Sequence, residues 1–242
     1  MQNHAVIDPD PDSKPLDAVE FERQLRACGH PYQIYHPLNV LLDSGRASPA
    51  QLRTWVATRF CYEVSLPVTD AAILTNCDDL DFRRQWVLRI LDADGHGSDP
   101  GAIDAWVRLG AAVGLTAGEL WSMEHVLPEV QSGVYSYVEF ARRRPWQEAV
   151  CASLTELFSP SMQGERLANW HLNYPWIETS GLNHFCSRTS PAARDVQCAL
   201  RLTLEHFRTR EAQTRALEIL RFKLERLWSM LDAVHQAMSA AA

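Results

Sequence analysis

One long stretch, residues 51–77, places charged side chains at helical positions that should face the protein interior. One helix face is built from four residues at steps of four, three and four: Leu52, Val56, Arg59 and Glu63. A buried charge is costly unless it is paired or meets a ligand. The stripe therefore indicates either an ion pair within the helix, between Arg59 and Glu63, or a binding site.

Charged and polar residues recur at inward phases further along the chain. Asp70 continues the first stripe if the helix passes Pro67. The other residues at or beside inward phases are Arg89, Tyr137, Glu156, Arg188 and Lys223. Four cations counted in this way face two carboxylates, those of Glu63 and Glu156. This imbalance predicts a closed cavity with net positive potential, which suits a small, carboxylate-bearing organic ligand.

The hydrophobic pattern is helical nearly throughout, with no convincing run of period two. The predicted helices cover residues 16–28, 36–45, 49–75, 79–93, 101–113, 117–123, 131–143, 146–158, 163–172, 181–189, 191–208 and 211–239. Residues 1–15 read as a disordered lead-in, and no later segment is long enough to be a linker between domains. We therefore expect one all-α domain over residues 16–242.

Composition excludes several classes of protein. The 242 residues carry a net charge of −7 with no basic stripe, which argues against a nucleic-acid partner. No apolar run reaches the length of a membrane helix, and the N-terminus lacks the features of a signal peptide. The six cysteines are dispersed without a CxxC pair. They indicate reduced thiols in a cytoplasmic protein.

Six segments together resemble one enzyme family. They are GHPYQIYHPLNVLLDSGRAS, WVATRFCYEVSLPVTDAAILTNC, RRQWVLRILDADG, YVEFARRRPWQEAVCASLTELFSP, NYPWIETSG and EILRFKLERLWSMLDA. In unbroken order over residues 17–240 they are similar to the pyrroloquinoline quinone synthase family. The resemblance implies a haem-oxygenase-like, all-α bundle around one buried pocket, usually as a homodimer. It also implies ring closure and oxidation of a quinone-amino-acid precursor by O2, without metal or flavin.

The resemblance assigns a pocket to this chain, with clear departures from the family. Seven residues match the family's pocket: Arg59, Tyr62, Arg89, Tyr137, Glu156, Arg188 and Lys223. Glu63 stands where the family usually has glutamine. Four further positions differ, since Gln33, Ala93 and Gln163 replace histidines and His184 replaces a tyrosine. Glutamine and alanine cannot transfer a proton near neutral pH. The carboxylate-binding residues are kept and the acid–base residues are replaced, which predicts a paralogue with another substrate or another chemistry.

A metal enzyme is the main alternative. Haem-oxygenase-like di-metal oxidases bind iron or manganese through carboxylates and histidines, and this chain offers Glu63, Asp70, Glu156 and His184. That family also uses a carboxylate and a histidine four and seven residues after the first histidine. This chain has Arg188 and Pro191 there, and neither can serve as a ligand. A third reading is a non-catalytic binder of similar ligands.

The sequence as a whole therefore predicts an O2-dependent oxidase, without metal or organic cofactor, that acts on a small aromatic or quinonoid carboxylate. Arg59, Arg89 and Lys223, together with Arg188, would bind anionic groups. Tyr62, Glu63, Gln33 and Gln163 would line the substrate site. The predicted catalytic residues are His184, Arg188, Tyr137 and Glu156, with His184 as the acid–base group near neutral pH.

Overall fold

The computed structural model describes residues 14–29, 35–158, 166, 169–187 and 189–240, without the side chains of residues 186–190. Regular structure in these ranges is helical, apart from an isolated β-bridge between His96 and Asp99. The α-helices are α1 Ala18–Ala27, α2 Pro37–Asp43, α3 Pro49–Thr75, α4 Leu80–Asp94, α5 Gly101–Ala112, α6 Ala117–Trp121, α7 Pro128–Arg143, α8 Trp146–Ala152, α9 Asn183–Ser187, α10 Thr189–His206 and α11 Arg210–Ala240. Two 3₁₀ helices span Ser153–Phe158 and Thr179–Leu182.

These helices lie within a few residues of their predicted positions. The predicted helix 146–158 changes to a 3₁₀ helix at Ser153, and the region predicted as helix 181–189 is divided between a 3₁₀ turn and α9. Half of the predicted helix 163–172 and nearly all of the predicted lead-in 1–15 lie outside the described residues. The prediction of an all-α chain is confirmed for the described part.

Helix α3 runs through the centre of the protein. Its buried residues lie on several faces, from Leu52 to Ile73, because α4, α5 and α7 all pack against it. The helix passes Pro67, which has no backbone N–H to donate. In the surrounding turns, the hydroxyl of Ser65 donates to the carbonyl of Tyr62 (2.7 Å), and that of Thr69 donates to the carbonyl of Ser65 (2.8 Å). The helix therefore extends far enough to bury Asp70.

Local capping fixes where several helices begin. The predicted capping box between Ser48 and Gln51 is present, with the Gln51 N–H donating to the Ser48 hydroxyl and the Gln51 side chain accepting from the Ser48 N–H. The same arrangement joins Thr116 and Glu119 at α6. Helix α2 begins differently, because Nδ1 of His36 accepts from the N–H of Leu38 at 3.1 Å.

Charged residues of four elements meet in the interior beside α3: α4, the 3₁₀ helix after α8, α10 and α11. Helix α4 packs on α3, while α10 and α11 both contact α8 and the following 3₁₀ helix. Helix α11 also contacts α7 and α3. Charged side chains from residues far apart in the sequence therefore meet in one place. None of the described helices combines the length and apolar content of a membrane span.

Candidate active site

A buried arginine on α4 binds three carboxylates. Nε of Arg89 lies 3.1 Å from both carboxylate oxygens of Asp70 on α3. Its two terminal nitrogens make a paired contact with Glu156, in the 3₁₀ helix, at 2.9 and 3.0 Å. Nη1 also lies 3.1 Å from Asp195 on α10. We call these four residues the Arg89 cluster. The cluster joins three helical elements to α4 through one side chain that is only 7% exposed.

Burial disfavours the charged form of each residue in the Arg89 cluster, whereas ion pairing favours it. Burial alone would disfavour the charge of Arg89, but the neighbouring carboxylates outweigh it and raise the Arg89 pKa well above its ordinary value. For Asp70 and Asp195 burial is the larger influence, and it raises both pKa values despite the attraction of Arg89. The arginine therefore stays charged while its carboxylates are held in a costly environment.

The cluster continues to the protein surface through a second arginine. Nη2 of Arg194 lies 2.7 Å from Asp195 and 2.6 Å from Asp92 at the C-terminal end of α4. Arg194 is partly exposed, whereas Asp195 is buried. Asp195 therefore contacts two arginines. Helix α10 is joined to α4 by the Arg89–Asp195 and Arg194–Asp92 ion pairs.

Lys223 on α11 lies over the ring of Tyr137. Its Nζ lies 4.6 Å from the ring centre, and the Tyr137 hydroxyl donates to the backbone carbonyl of Lys223 at 3.1 Å. The residue is 6% exposed, and no carboxylate in the described part lies within ion-pair distance of its amine. Burial lowers its pKa to about 8; Glu156 and Asp70 oppose this shift, while Arg89 and Arg59 add to it.

A small cavity adjoins the Lys223 side chain. Its lining is mostly apolar and comprises Thr69, Tyr137, Phe140, Ala141, Ala149, Ala152, Phe222 and Lys223. An ammonium group in such surroundings is poorly solvated, which accounts for the lowered pKa. Lys223 is thus a buried cation that lines this cavity, and its amine has no carboxylate partner within ion-pair distance in the described part of the chain.

Arg59 completes the group on the α3 side. Its Nε donates to Glu63 at 2.8 Å, one turn further along the same helix. Its guanidinium carbon lies 4.1 Å from the ring centre of Tyr62, an arrangement favourable to a cation. The rings of Tyr62 and Tyr137 meet edge to face at 6.2 Å. Arg59 therefore lies over one ring, and Lys223 over the other, of two phenols that are in contact.

The predicted positive potential is wrong for the described residues. Three cations, Arg59, Arg89 and Lys223, are accompanied by four carboxylates from Glu63, Asp70, Glu156 and Asp195. The prediction set only two carboxylates against the cations. Asp70 and Asp195 are the two carboxylates that this prediction leaves out. Arg188, the fourth predicted cation, lies outside the described residues, as do Gln33 and Gln163.

His184 is buried against α5. Its Nδ1 lies 3.2 Å from the carbonyl oxygen of Ala102, and its ring meets that of Trp106 edge to face at 4.7 Å. A carbonyl oxygen can only accept, so Nδ1 carries the proton that is donated. In the neutral ring Nε2 is then the basic nitrogen, which is the tautomer that a general base needs. These contacts place His184 beside α5 and not within the Arg89 cluster.

The four residues of the metal alternative are not arranged as a ligand set. No three of Glu63, Asp70, Glu156 and His184 bring their ligand atoms within 4.8 Å of one another; the described residues contain one such group, the surface residues Glu119, Glu124 and His125. Asp70 and Glu156 instead both bind Arg89, a permanent cation that repels a divalent ion. The residues present therefore do not fit the di-metal site that the alternative requires.

Asp195 is the member of the cluster that sequence reasoning missed. A signal for it exists, because Ala192, Asp195, Ala199 and Leu202 share one face of α10 at steps of three, four and three, and all four are buried. A carboxylate on this apolar stripe requires a buried cation, as Arg59 and Arg89 require carboxylates. Ala93, where the family carries a histidine, is also buried, one turn after Arg89 on α4.

Comparison with known proteins assigns the chain to a family. A pyrroloquinoline-quinone synthase from Pseudomonas aeruginosa is 54% identical over 222 residues, which cover 92% of this chain and 89% of the relative. Such similarity confirms the prediction that the chain is an enzyme. Among solved structures, a TenA homologue from Pseudomonas syringae covers 94% of this chain and 96% of its own, with a TM-score of 0.70 at 16% identity.

A second solved structure identifies the fold. A domain of unknown function with a heme oxygenase-like fold, from Shewanella denitrificans, covers 93% of this chain and 94% of its own, with a TM-score of 0.74 at 12% identity. The predicted haem-oxygenase-like fold is therefore confirmed. The model of the TENA/THI-4/PQQC family matches residues 22–233. This match and the similarity to the synthase show that the chain belongs to the TENA/THI-4/PQQC family.

Proposed function

We propose that this chain is an O2-dependent oxidase, related to pyrroloquinoline-quinone synthase, that acts on a small aromatic or quinonoid carboxylate without metal or organic cofactor. One observation carries the proposal: Lys223 is a buried cation that lines an apolar cavity together with Tyr137, whose ring contacts that of Tyr62. A cation among aromatic rings suits a planar, anionic ligand. The similarity to the synthase supports the same class of substrate.

In this proposal Lys223, together with Arg188, holds the anionic groups of the substrate, and Arg59 lies over the Tyr62 ring at the edge of the same site. Tyr62 and Tyr137 orient its ring, and Glu156 positions Arg89. His184 is the base, because its Nδ1–H is donated to Ala102 and its Nε2 is the basic nitrogen. The reaction removes two electrons and two protons from the substrate, and O2 takes up both to form hydrogen peroxide. Glu63 and the positions of Gln33 and Gln163 belong to the substrate site in this proposal.

The enzyme is proposed to be a paralogue with its own substrate. Three positions that hold histidine in the family hold Gln33, Ala93 and Gln163 here, and His184 replaces a tyrosine. The acid–base chemistry would then depend on His184 and Lys223, the latter with a pKa lowered to about 8 by burial. A homodimer and a cytoplasmic location remain part of the proposal.

Aromatic carboxylates are expected to raise the melting temperature of the purified protein. A ligand at 100 times its dissociation constant stabilises the folded state by about 2.7 kcal/mol, which for a chain of this size is roughly 5–10 °C. Differential scanning fluorimetry with a panel of aromatic carboxylates, including pyrroloquinoline quinone, measures the shift. The uncharged amides of the same acids serve as controls and should give no shift. A panel without any stabilising acid would contradict the proposed ligand class.

Measurement of O2 consumption distinguishes an oxidase from a non-catalytic binder. An O2 electrode follows the reaction in the presence of each stabilising acid or its reduced form. An oxidase consumes O2 and releases hydrogen peroxide in equal amounts. Stabilisation by every acid with no O2 consumption by any of them would instead indicate the non-catalytic binder.

A further inference from the structure

Glu63 forms an ion pair with Arg59 and so neutralises a charge that a ligand could otherwise use. Its N–O distance is 2.8 Å, and the Glu63 side chain is only 9% exposed. The Arg59 guanidinium also lies over the Tyr62 ring at 4.1 Å. Two contacts therefore fix this arginine beside the aromatic rings, with its charge directed to a carboxylate of its own helix.

Lys223 contrasts with Arg59 across the same pair of phenols. No described carboxylate lies within ion-pair distance of its amine, and the residue is 94% buried. Arg89, the third cation of this group in the described residues, is bound by three carboxylates. In the described part of the chain, Lys223 is therefore the cation of this group that can accept a ligand's anionic group without displacing a protein carboxylate.

We infer that Glu63 sets the number of anionic groups that the site accepts, by keeping Arg59 in an internal ion pair. The inference rests on the proposed function, because it concerns the ligand of the same site. A ligand carboxylate that approaches Arg59 must displace Glu63 and also meets the repulsion of its buried negative charge. The site then selects aromatic compounds with fewer carboxylates over polycarboxylates of the same ring.

Removal of the Glu63 charge should change this preference. In the Glu63→Gln variant the side chain keeps its shape but no longer neutralises Arg59. The arginine can then make a charge-assisted hydrogen bond to a second ligand carboxylate. Such a bond typically increases affinity by about tenfold or more. The affinity for a monocarboxylate, which needs only Lys223, should change much less.

Isothermal titration calorimetry with benzoate, benzene-1,3-dicarboxylate and benzene-1,3,5-tricarboxylate tests the inference. We expect Glu63→Gln to raise the affinity for the tricarboxylate at least tenfold relative to benzoate. The matched control is Glu148→Gln, which removes a glutamate paired with Arg215 between α8 and α11, and it should not alter the ratio. Adding Arg59→Met to Glu63→Gln should abolish the gain, which attributes it to Arg59.

The outcomes separate this inference from the proposed function. Tight tricarboxylate binding by the unmodified protein, unchanged in Glu63→Gln, would overturn the role of Glu63 and leave the proposed function in place. Absence of binding by all three acids to both proteins would overturn the proposed function and this inference together. If Glu63→Gln does not fold, as judged by circular dichroism, Glu63→Met removes the same charge. The ratio of tricarboxylate to benzoate affinity in that variant then tests the inference.

Discussion

Replacement of Arg89 by methionine is expected to lower the free energy of unfolding by about 3–5 kcal/mol. The variant leaves the carboxylates of Asp70, Glu156 and Asp195 in the interior without their shared cation. Removal of one partner from a buried ion pair costs more than the pair itself contributes, because the remaining charge stays desolvated. Urea unfolding of both proteins at pH 7 measures the difference.

A control on the same helix separates this effect from the loss of any arginine. Arg84 pairs with Asp81 at 3.0 Å on the surface of α4, where both side chains are largely exposed. Arg84→Met should therefore cost no more than about 1 kcal/mol. A cost below 1 kcal/mol for Arg89→Met as well would show that the cluster is not the buried charge network described above.

The pH dependence of the Arg89→Met variant should differ from that of the unmodified protein. Burial already raises the pKa values of Asp70 and Asp195, and removal of Arg89 takes away the attraction that opposes this rise. A group whose pKa is raised on folding favours the folded state when it is protonated. The variant should therefore recover part of its lost stability as the pH falls through these raised pKa values, and show its full loss at neutral pH.

Replacement of Lys223 by methionine is expected to stabilise the folded protein at pH 7 by about 3–4 kcal/mol and to abolish ligand binding. Burial lowers the Lys223 pKa from 10.5 to about 8, and each unit corresponds to about 1.4 kcal/mol. At pH 7 the amine is charged in both states, so the folded protein bears the whole desolvation cost. Methionine removes the charge and fits the apolar lining of the cavity.

This stabilisation should depend on pH in a defined direction. Between about 8 and 10.5 the amine is neutral when folded and protonated when unfolded. The unfolded state then binds more protons, so the stability of the unmodified protein rises with pH across this window. The advantage of Lys223→Met should shrink over the same range and disappear above it. Urea unfolding at pH 7, 9 and 10.5 measures this change.

The chain supplies its own control, since Lys14 is its other lysine and is exposed. Lys14→Met should change the stability by no more than about 0.5 kcal/mol and leave ligand binding intact. A Lys223→Met protein that is less stable at pH 7 and still binds aromatic carboxylates would contradict both the lowered pKa and the proposed role of this residue.

The helices could be predicted from the sequence because their signals are local. The capping box at Ser48 and Gln51 places the start of α3, and the helical spacing of Leu52 and Val56 shows which face turns inward. The same spacing places Arg59, Glu63 and Arg89 in the interior. Periodicity depends on one helix at a time, so it identifies inward residues without help from the rest of the chain.

The partners of these residues could not be predicted in the same way. Arg89 and Asp195 are 106 positions apart and meet because α4 and α10 pack together. Helical phase shows that each faces inward, but it does not show which helix lies opposite. The predicted excess of positive charge is wrong for the described residues for this reason, since Asp70 and Asp195, which the prediction leaves out, bind Arg89 together with Glu156. The pair of Arg59 and Glu63 lies within one helix, and the sequence predicted it correctly as one of two alternatives.

The family resemblance adds Tyr62 and His184 to the candidate residues that periodicity selects, which already include Tyr137. Tyr62 and Tyr137 are unremarkable as single buried tyrosines, yet they meet edge to face between Arg59 and Lys223. The contact of His184 with Ala102 depends on the packing of α9 against α5, for which the sequence holds no local signal. The sequence predicts His184 as the acid–base residue, and the hydrogen bond adds which ring nitrogen carries the proton.

The central claim is that the protein keeps the carboxylate-binding residues of its family with a different set of acid–base residues. The most direct measurement is a single-enzyme assay with the authentic precursor of pyrroloquinoline quinone and O2, beside the Pseudomonas aeruginosa synthase. Loss of positioned acid–base groups typically costs a factor of about 10²–10⁴, so we predict product formation at least about 100-fold slower than by the synthase. A variant with Gln33→His, Ala93→His, Gln163→His and His184→Tyr should recover much of the rate. Full turnover by the unmodified chain at the rate of the synthase would contradict the account.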